Sequence, residues 1–322
     1  MKTMSEKAIE MFATLLTSKL DEIQGNWQKP WFTKGCLALP KNLDGRCYNG
    51  ANILLLMLVA QSKGYKLPYW ATFNRISKIA KEKNVNLRIL KGEKACPISL
   101  MSFIVKDKND NRISYDTYLS LTEKEKKQYK LIPYYRDYYV FNVAQTNMQE
   151  VLPSMYEKLS AEKEVKTNGY SLEEADNMIS TNSWLCPIDL IYQEKAYYSL
   201  TTNSITIPMK EQFSKGEEFY STLFHEMTHS THRELKREIN GSFGSAEYGR
   251  EELVAELTSL LVCTTCGIEK VTKNESCKYL KSWLRAIKEE NNFLMTVLND
   301  VKKAYSLIMK KLQTSEEEAI AA

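Results

Sequence analysis

The apolar positions of the first 24 residues fall on one face of a helix. Ile9, Phe12, Ala13, Leu16, Leu20 and Ile23 recur at spacings of three and four, and Gly25 ends the run. The next stretch, "NWQKPWFTKGCLALPKNLDGRCYNG", mixes Pro, Gly and aromatics without a period and predicts irregular backbone. Around residues 53–61 the chain is almost wholly apolar, which predicts a buried helix stopped at Gly64. "YWATFNRISKIAKEKN" predicts a strand end followed by a helix. "LRILKGEKACPISLMSFIV" predicts two strands around the turn Lys91-Gly92-Glu93-Lys94. Residues 106–137 are polar and predict an excursion outside the core, after which "YYVFNVAQT" resumes as a strand.

The pattern then weakens around Pro153 and "SAEKEVKTNG". The expected organisation is therefore a first domain over 1–148, a linker over 149–168 and a second domain over 169–322. In the second part, Ser-x-x-Glu runs at Ser171 and Ser214 predict helix starts. Between them "KAYYSL" and "SITIP" predict short strands, the second ending at Pro208. A helix carrying "FYSTLFHEMTHSTHREL" follows, then a second from about Glu247 to Cys266 with Gly267 as its stop. The tail predicts a further helix with Trp283, Leu284, Ile287, Leu294, Val297 and Leu298 facing a core, and "SEEEAIAA" predicts disorder. The expected fold class is α+β in two domains: an α+β first domain, and a mostly helical second domain with a small β-sheet.

Composition excludes some classes. With 43% apolar and 26% charged residues, the chain reads as a soluble globular protein. No apolar run approaches the roughly 20 residues a membrane span needs, so the expectation is a cytoplasmic protein without a membrane partner. Seven scattered cysteines suit thiols in a reducing compartment, and Cys263 and Cys266 read as buried helix residues. Residues 1–150 carry 24 Lys and Arg against 14 Asp and Glu, a net +10, whereas residues 151–322 carry 20 against 26, a net −6. A basic half suits a polyanion and an acidic half does not.

The chain has only three histidines, His225, His229 and His232, all within eight residues. Positions four apart on a helix differ by about 40° in rotation and about 6 Å in rise, so His225 and His229 share a face. With Glu226 between them they form His-Glu-x-x-His. In that motif two imidazoles bind Zn2+ and the glutamate takes a proton from the metal-bound water. A catalytic zinc also wants a third protein ligand. Position 235, where the extended motif has histidine, is Leu235, which excludes that subclass. His232 reads as a helix-end residue. In "YGREELVAELTSLLVC", Glu252 and Glu256 sit four apart in an apolar run, and buried carboxylates need partners. Glu252 is the expected ligand and Glu256 the expected carboxylate behind an imidazole, with Glu251 as the rival ligand.

The stretches "YSTLFHEMTHSTH", "YGREELVAELTSLLVC" and "YLKSWLRAIKEE" closely resemble the C-terminal zincin-like half of the antirestriction protein ArdC family. "GRCYNGANILLLMLVA", "WATFNRI", "LRILKGEKACPISL" and "YYVFNVAQT" resemble its N-terminal single-stranded-DNA-binding half. The resemblance covers nearly the whole chain. It implies a bacterial protein borne on a mobile element, one that binds single-stranded DNA, protects incoming DNA from restriction and carries a metallopeptidase-like domain. By position, His225, Glu226 and His229 match the metal motif and Glu252 and Glu256 the glutamate helix.

Binding single strands without sequence preference calls for cations along the backbone and aromatic faces for the bases. Trp27, Lys29, Trp31, Arg46 and Tyr48 interleave the two types in the loop-rich stretch, as do Trp70, Arg75, Arg88, Lys91 and Lys94 further on. Two readings follow. In the first, a DNA-associated zinc peptidase attacks a peptide bond with Glu226 as base, "SITIP" offers an edge strand to a peptide or protein substrate, and Tyr248 and Tyr220 are candidates to stabilise the oxyanion. In the second, a non-catalytic single-stranded-DNA-binding protein uses zinc only to hold its fold.

Overall fold

The computed structural model describes residues 6–25, 38–161, 171–239, 245–268, 270, 283, 286–287 and 293–321. Helix α1 (Glu6–Gly25) buries a stripe centred on Ala8, Phe12, Leu16, Leu20 and Ile23, all without exposed surface. Helix α2 (Ala51–Lys63) is apolar all round, and Ile53 to Leu58 are all buried, as such a helix requires. Gly64 ends it at φ 69°, which lets the Tyr65 N–H reach the Ala60 carbonyl at 2.9 Å.

The first sheet is built from β1 (Lys41–Asn42), β2 (Tyr69–Thr72), β3 (Cys96–Lys106), β4 (Arg112–Ile113) and β5 (Lys130–Asn142), in the order β1-β2-β5-β3-β4. Helix α3 (Phe73–Lys83) follows β2, with Thr72 accepting a capping bond from the Arg75 N–H. The β3–β5 ladder runs from Cys96↔Val140 to Lys106↔Lys130, so β5 begins earlier than the sequence pattern predicts. The polar excursion shrinks accordingly to β4, α4 (Tyr115–Leu119) and α5 (Glu123–Lys126). One strand forms where two were expected, because "LRIL" contributes only the isolated bridge Ile89↔Thr146. Asn52 closes the outer edge of β3: its Nδ2 donates to the Ser99 carbonyl at 2.8 Å and its Oδ1 accepts from the Ser99 N–H at 3.2 Å. Helices α6 (Met148–Val151) and α7 (Pro153–Ala161) fill the described part of the expected linker.

The second half contains α8 (Glu173–Ser180), strands β6 (Ile188–Ile191), β7 (Tyr197–Ser199) and β8 (Ser204–Pro208), and helices α9 (Gly216–Ser230), α10 (Ala246–Thr265) and α11 (Phe293–Ala321). Its sheet order is β6-β8-β7. The "SITIP" strand is therefore central and offers no free edge, contrary to expectation. β6 pairs parallel on one side, β7 antiparallel on the other, and Ile205 and Ile207 are fully buried. Neither expected capping serine caps: Ser171 Oγ donates to Asp176 and Ser214 Oγ to Glu218. Helix α11 continues to Ala321 through the stretch expected to be disordered, consistent with the strong helix propensity of its Glu and Ala residues.

Helix α10 is the hub. Leu253, Val254, Leu257, Leu260 and Leu261 pack in one cluster with Phe12 and Leu16 of α1, Ile53 to Leu58 of α2, and Val297, Leu298 and Val301 of α11. Val262 and Cys263 join a second cluster with Phe219, Leu223 and Met227 of α9. A core that spans both halves thus backs the helix bearing the candidate glutamates. At its end Gly267, at φ 71°, lets the Ile268 N–H reach the Cys263 carbonyl at 2.8 Å, as the sequence predicts.

Candidate metal centre

Helix α9 is buried along nearly its whole length because Phe219, Leu223, Phe224 and Met227 face the core. This takes His225, Glu226 and His229 inside as well, at 4%, 4% and 9% exposure. The two imidazoles meet with their Nε2 atoms 3.2 Å apart. Glu252 comes across from α10, its Oε2 at 3.4 Å from His225 Nε2 and its Oε1 at 3.5 Å from His229 Nε2. An ion bound at about 2.05 Å to tetrahedral ligands separates them by about 3.3 Å, so these donors fit a small divalent cation. Among the described residues, His225, His229 and Glu252 are the group of metal-ligand type, with donor atoms within 4.8 Å of one another.

The electrostatics point the same way. Burial alone would raise the Glu252 carboxyl, but the His225 hydrogen bond, the His229 and His225 charges and the Tyr248 hydroxyl together hold it down at about 2. Burial would lower His229; the Glu251 hydrogen bond and the charges of Glu252, Glu251 and Glu226 outweigh it and push His229 up. A potential that draws a proton onto an imidazole also draws a cation.

Behind each ring stands a second carboxylate. Glu251 Oε1 is 3.0 Å from His229 Nδ1, and Arg237 forks onto both Glu251 oxygens, Nη2 to Oε1 at 2.7 Å and Nε to Oε2 at 2.9 Å. Glu256 Oε2 is 3.5 Å from His225 Nδ1, without hydrogen-bond alignment, and 3.2 Å from Lys270 Nζ. Glu251, the rival ligand, addresses the far nitrogen of its ring and stands outside the donor group. His232 points elsewhere: its Nε2 lies 3.1 Å from the Tyr198 hydroxyl on β7. Of the two tyrosines considered for an oxyanion, Tyr248 bonds Glu252. Tyr220 is buried, holding Asp176 at 2.8 Å and the Leu172 N–H at 2.8 Å.

Two family models match the chain: residues 6–141 match the N-terminal domain of anti-restriction factor ArdC, and residues 162–299 a zincin-like metallopeptidase. The crystal structure of antirestriction ArdC protein from R388 plasmid superposes with a TM-score of 0.66 in its metal-free form, at 25% identity over 94% of this chain and 98% of that one. The chain belongs to the ArdC family. The Mn(II)-bound R388 structure superposes with a TM-score of 0.63 over 94% of this chain and 97% of that one, again at 25% identity. Together with the donor geometry, this makes the centre of this ArdC-family chain a divalent-metal site. A DNA primase TraC of Escherichia coli is 28% identical over 96% of this chain, which spans only 20% of that primase. Sinorhizobium fredii (strain NBRC 101917 / NGR234) y4eC is 23% identical over 91% of this chain and 89% of its own length.

The expected DNA-binding residues do not gather as one set. Trp27, Lys29 and Trp31 lie outside the described residues. Trp70 is a correction: it has no exposed surface and packs in the α1–α2 core, so it presents no face to a base. Tyr48 is half-buried, and Arg75 is occupied by Asp44 and Glu82. Arg46, Arg88, Lys91 and Lys94 are exposed, with Gly92 at φ 90° forming the turn that carries the two lysines. Sequence reasoning missed Arg237 and Lys270. Neither sits in a motif, and only the folded chain brings them to the carboxylates.

Proposed function

We propose that this ArdC-family chain binds single-stranded DNA, protects incoming mobile-element DNA, and holds in its second half a zinc-dependent peptidase centre acting on a peptide or protein. The convergence of His225, His229 and Glu252 beside Glu226 carries the reading. His225, His229 and Glu252 hold the ion. Once bound, it supplies Lewis acidity and lowers the pKa of water. Glu226, one residue along α9 from His225, accepts the proton from the attacking water and returns it to the leaving amine. Glu251 holds the Nδ1 side of His229 by a 3.0 Å hydrogen bond and Glu256 stands 3.5 Å behind Nδ1 of His225, an arrangement that suits both Nε2 atoms facing the ion. Mn(II) in the R388 relative supports a divalent ion, and a donor set of two imidazoles and one carboxylate supports zinc.

The DNA reading rests on the net +10 of residues 1–150 and on the exposed Arg46, Arg88, Lys91 and Lys94. The R388 plasmid origin of the structural relative and the TraC primases support a mobile-element setting.

A second reading, a structural metal in a non-catalytic DNA-binding protein, is favoured by the burial of all four side chains at the centre. Glu226→Gln separates the two. The variant, loaded with Zn2+, is expected to keep metal and single-strand affinity and to lose both cleavage of unfolded protein substrates and protection of transferred DNA. Unchanged cleavage and protection would sink the catalytic reading.

A further inference from the structure

We infer that Arg237 and Lys270 are positioning residues of the metal centre: each fixes and neutralises the carboxylate behind one imidazole, holding that ligand ring from the rear at no net charge. The inference rests on His225, His229 and Glu252 binding the ion.

Both rings have a carboxylate and then a cation behind them, hydrogen-bonded to the ring at His229, 3.0 Å from Glu251, and in charge contact at His225, 3.5 Å from Glu256. Arg237 and Glu251 have side chains only 4% and 3% exposed, Lys270 and Glu256 only 1% and 0%. Ions so deeply buried do little for stability that apolar residues of similar size would not do, so their location is what distinguishes them. Each pair stands directly behind a ring whose front nitrogen faces Glu252. Arg237 also ties the two helices together. Beyond its fork on Glu251 of α10 it donates to the Thr228 carbonyl at 2.9 Å and to Thr231 Oγ1 at 3.1 Å, both at the end of α9. The backbone is bent to aim it. Lys236 takes φ 50°, an uncommon conformation for a residue with a Cβ, and the Arg237 N–H then reaches the His232 carbonyl at 2.8 Å. With both rear carboxylates cancelled, the negative charge an ion meets comes from Glu252 and Glu226.

The test is Mn2+ and Zn2+ affinity of the full-length, metal-free protein by titration calorimetry, with the thermal midpoint of each metal-free variant reporting folding. Arg237→Met and Lys270→Met are each expected to weaken binding by about 10- to 100-fold. Adding Glu251→Gln to the first, or Glu256→Gln to the second, removes the charge pair whole and is expected to bring affinity back toward wild type. A purely structural role would not give that rescue. Wild-type affinity in both single variants, or no recovery in the double variants, would overturn the inference. If Arg237→Met does not fold, Lys270→Met and its double carry the test alone. Failure of the wild-type chain to bind either metal would instead refute the metal-centre reading beneath it.

Discussion

Glu251 and Glu252, adjacent in sequence, address opposite nitrogens of one imidazole: Glu251 Oε1 lies 3.0 Å from His229 Nδ1 and Glu252 Oε1 lies 3.5 Å from His229 Nε2. A step of about 100° along α10 separates the residue that faces the paired Nε2 atoms from the one that stands at Nδ1.

Substitutions at the two positions should therefore differ in kind. Glu252→Ala removes a donor and is expected to abolish stoichiometric metal retention through a desalting column, read by elemental analysis. Glu251→Gln keeps an acceptor for His229 and is expected to retain metal, with affinity lowered by at most about 10- to 100-fold. Equal losses at both positions would contradict the assignment.

Metal affinity should fall with pH. Only a neutral imidazole donates to a cation, and in the metal-free chain the surrounding carboxylates push His229 up. Protonation therefore competes from above the usual histidine range downward. Calorimetry between about pH 8 and about pH 6 should show weakening affinity, with proton release on binding that grows as pH falls. A flat profile would show that His229 is not a ligand.

The core shared by α1, α2, α10 and α11 couples the two halves. Chemical denaturation should show one cooperative transition monitored by fluorescence and circular dichroism alike. Leu257→Ala, at 1% exposure in that core, should lower stability by about 2–5 kcal/mol and shift both signals together. Two separate transitions would mean that the halves fold independently.

In the first half, exposure sorts the aromatic from the cationic candidates. Trp70→Ala should destabilise the fold by about 3–5 kcal/mol, its effect on DNA following unfolding. Lys91→Ala and Lys94→Ala should leave stability unchanged, weaken single-strand binding, and lower the slope of log affinity against log salt by about 0.7 for each phosphate no longer neutralised. An unchanged slope would remove these lysines from the DNA surface.

Much was legible from local pattern. Helical periodicity marked α1, the continuous apolar run marked α2, and Gly64 and Gly267 ended their helices because a positive φ is available to glycine at little cost. The four-residue spacing of His225 and His229, and of Glu252 and Glu256, predicted shared helix faces, since helix geometry is set within a few residues. Other features were not local. "SITIP" reads the same whether it is an edge or a central strand; its two partners, one of them β6, come from elsewhere in the chain. Trp70 looked like a stacking platform, but it has no exposed surface and lies in the core cluster that includes residues of α1 and α2. Ser171 and Ser214 matched a capping pattern, yet their hydroxyls found Asp176 and Glu218 instead.

The sequence by itself determined the long helices α1, α2, α9 and α10, the glycine stops of α2 and α10, and the residue types of the centre, because those depend on backbone geometry and on chemistry carried by single short segments. Only the tertiary structure decided which of two neighbouring glutamates faces the paired Nε2 atoms and which stands at Nδ1, and that Arg237 and Lys270 stand behind the rear carboxylates. Those outcomes depend on the rotation of α10 against α9, set by apolar packing on both its faces, and on loop paths that no spacing encodes.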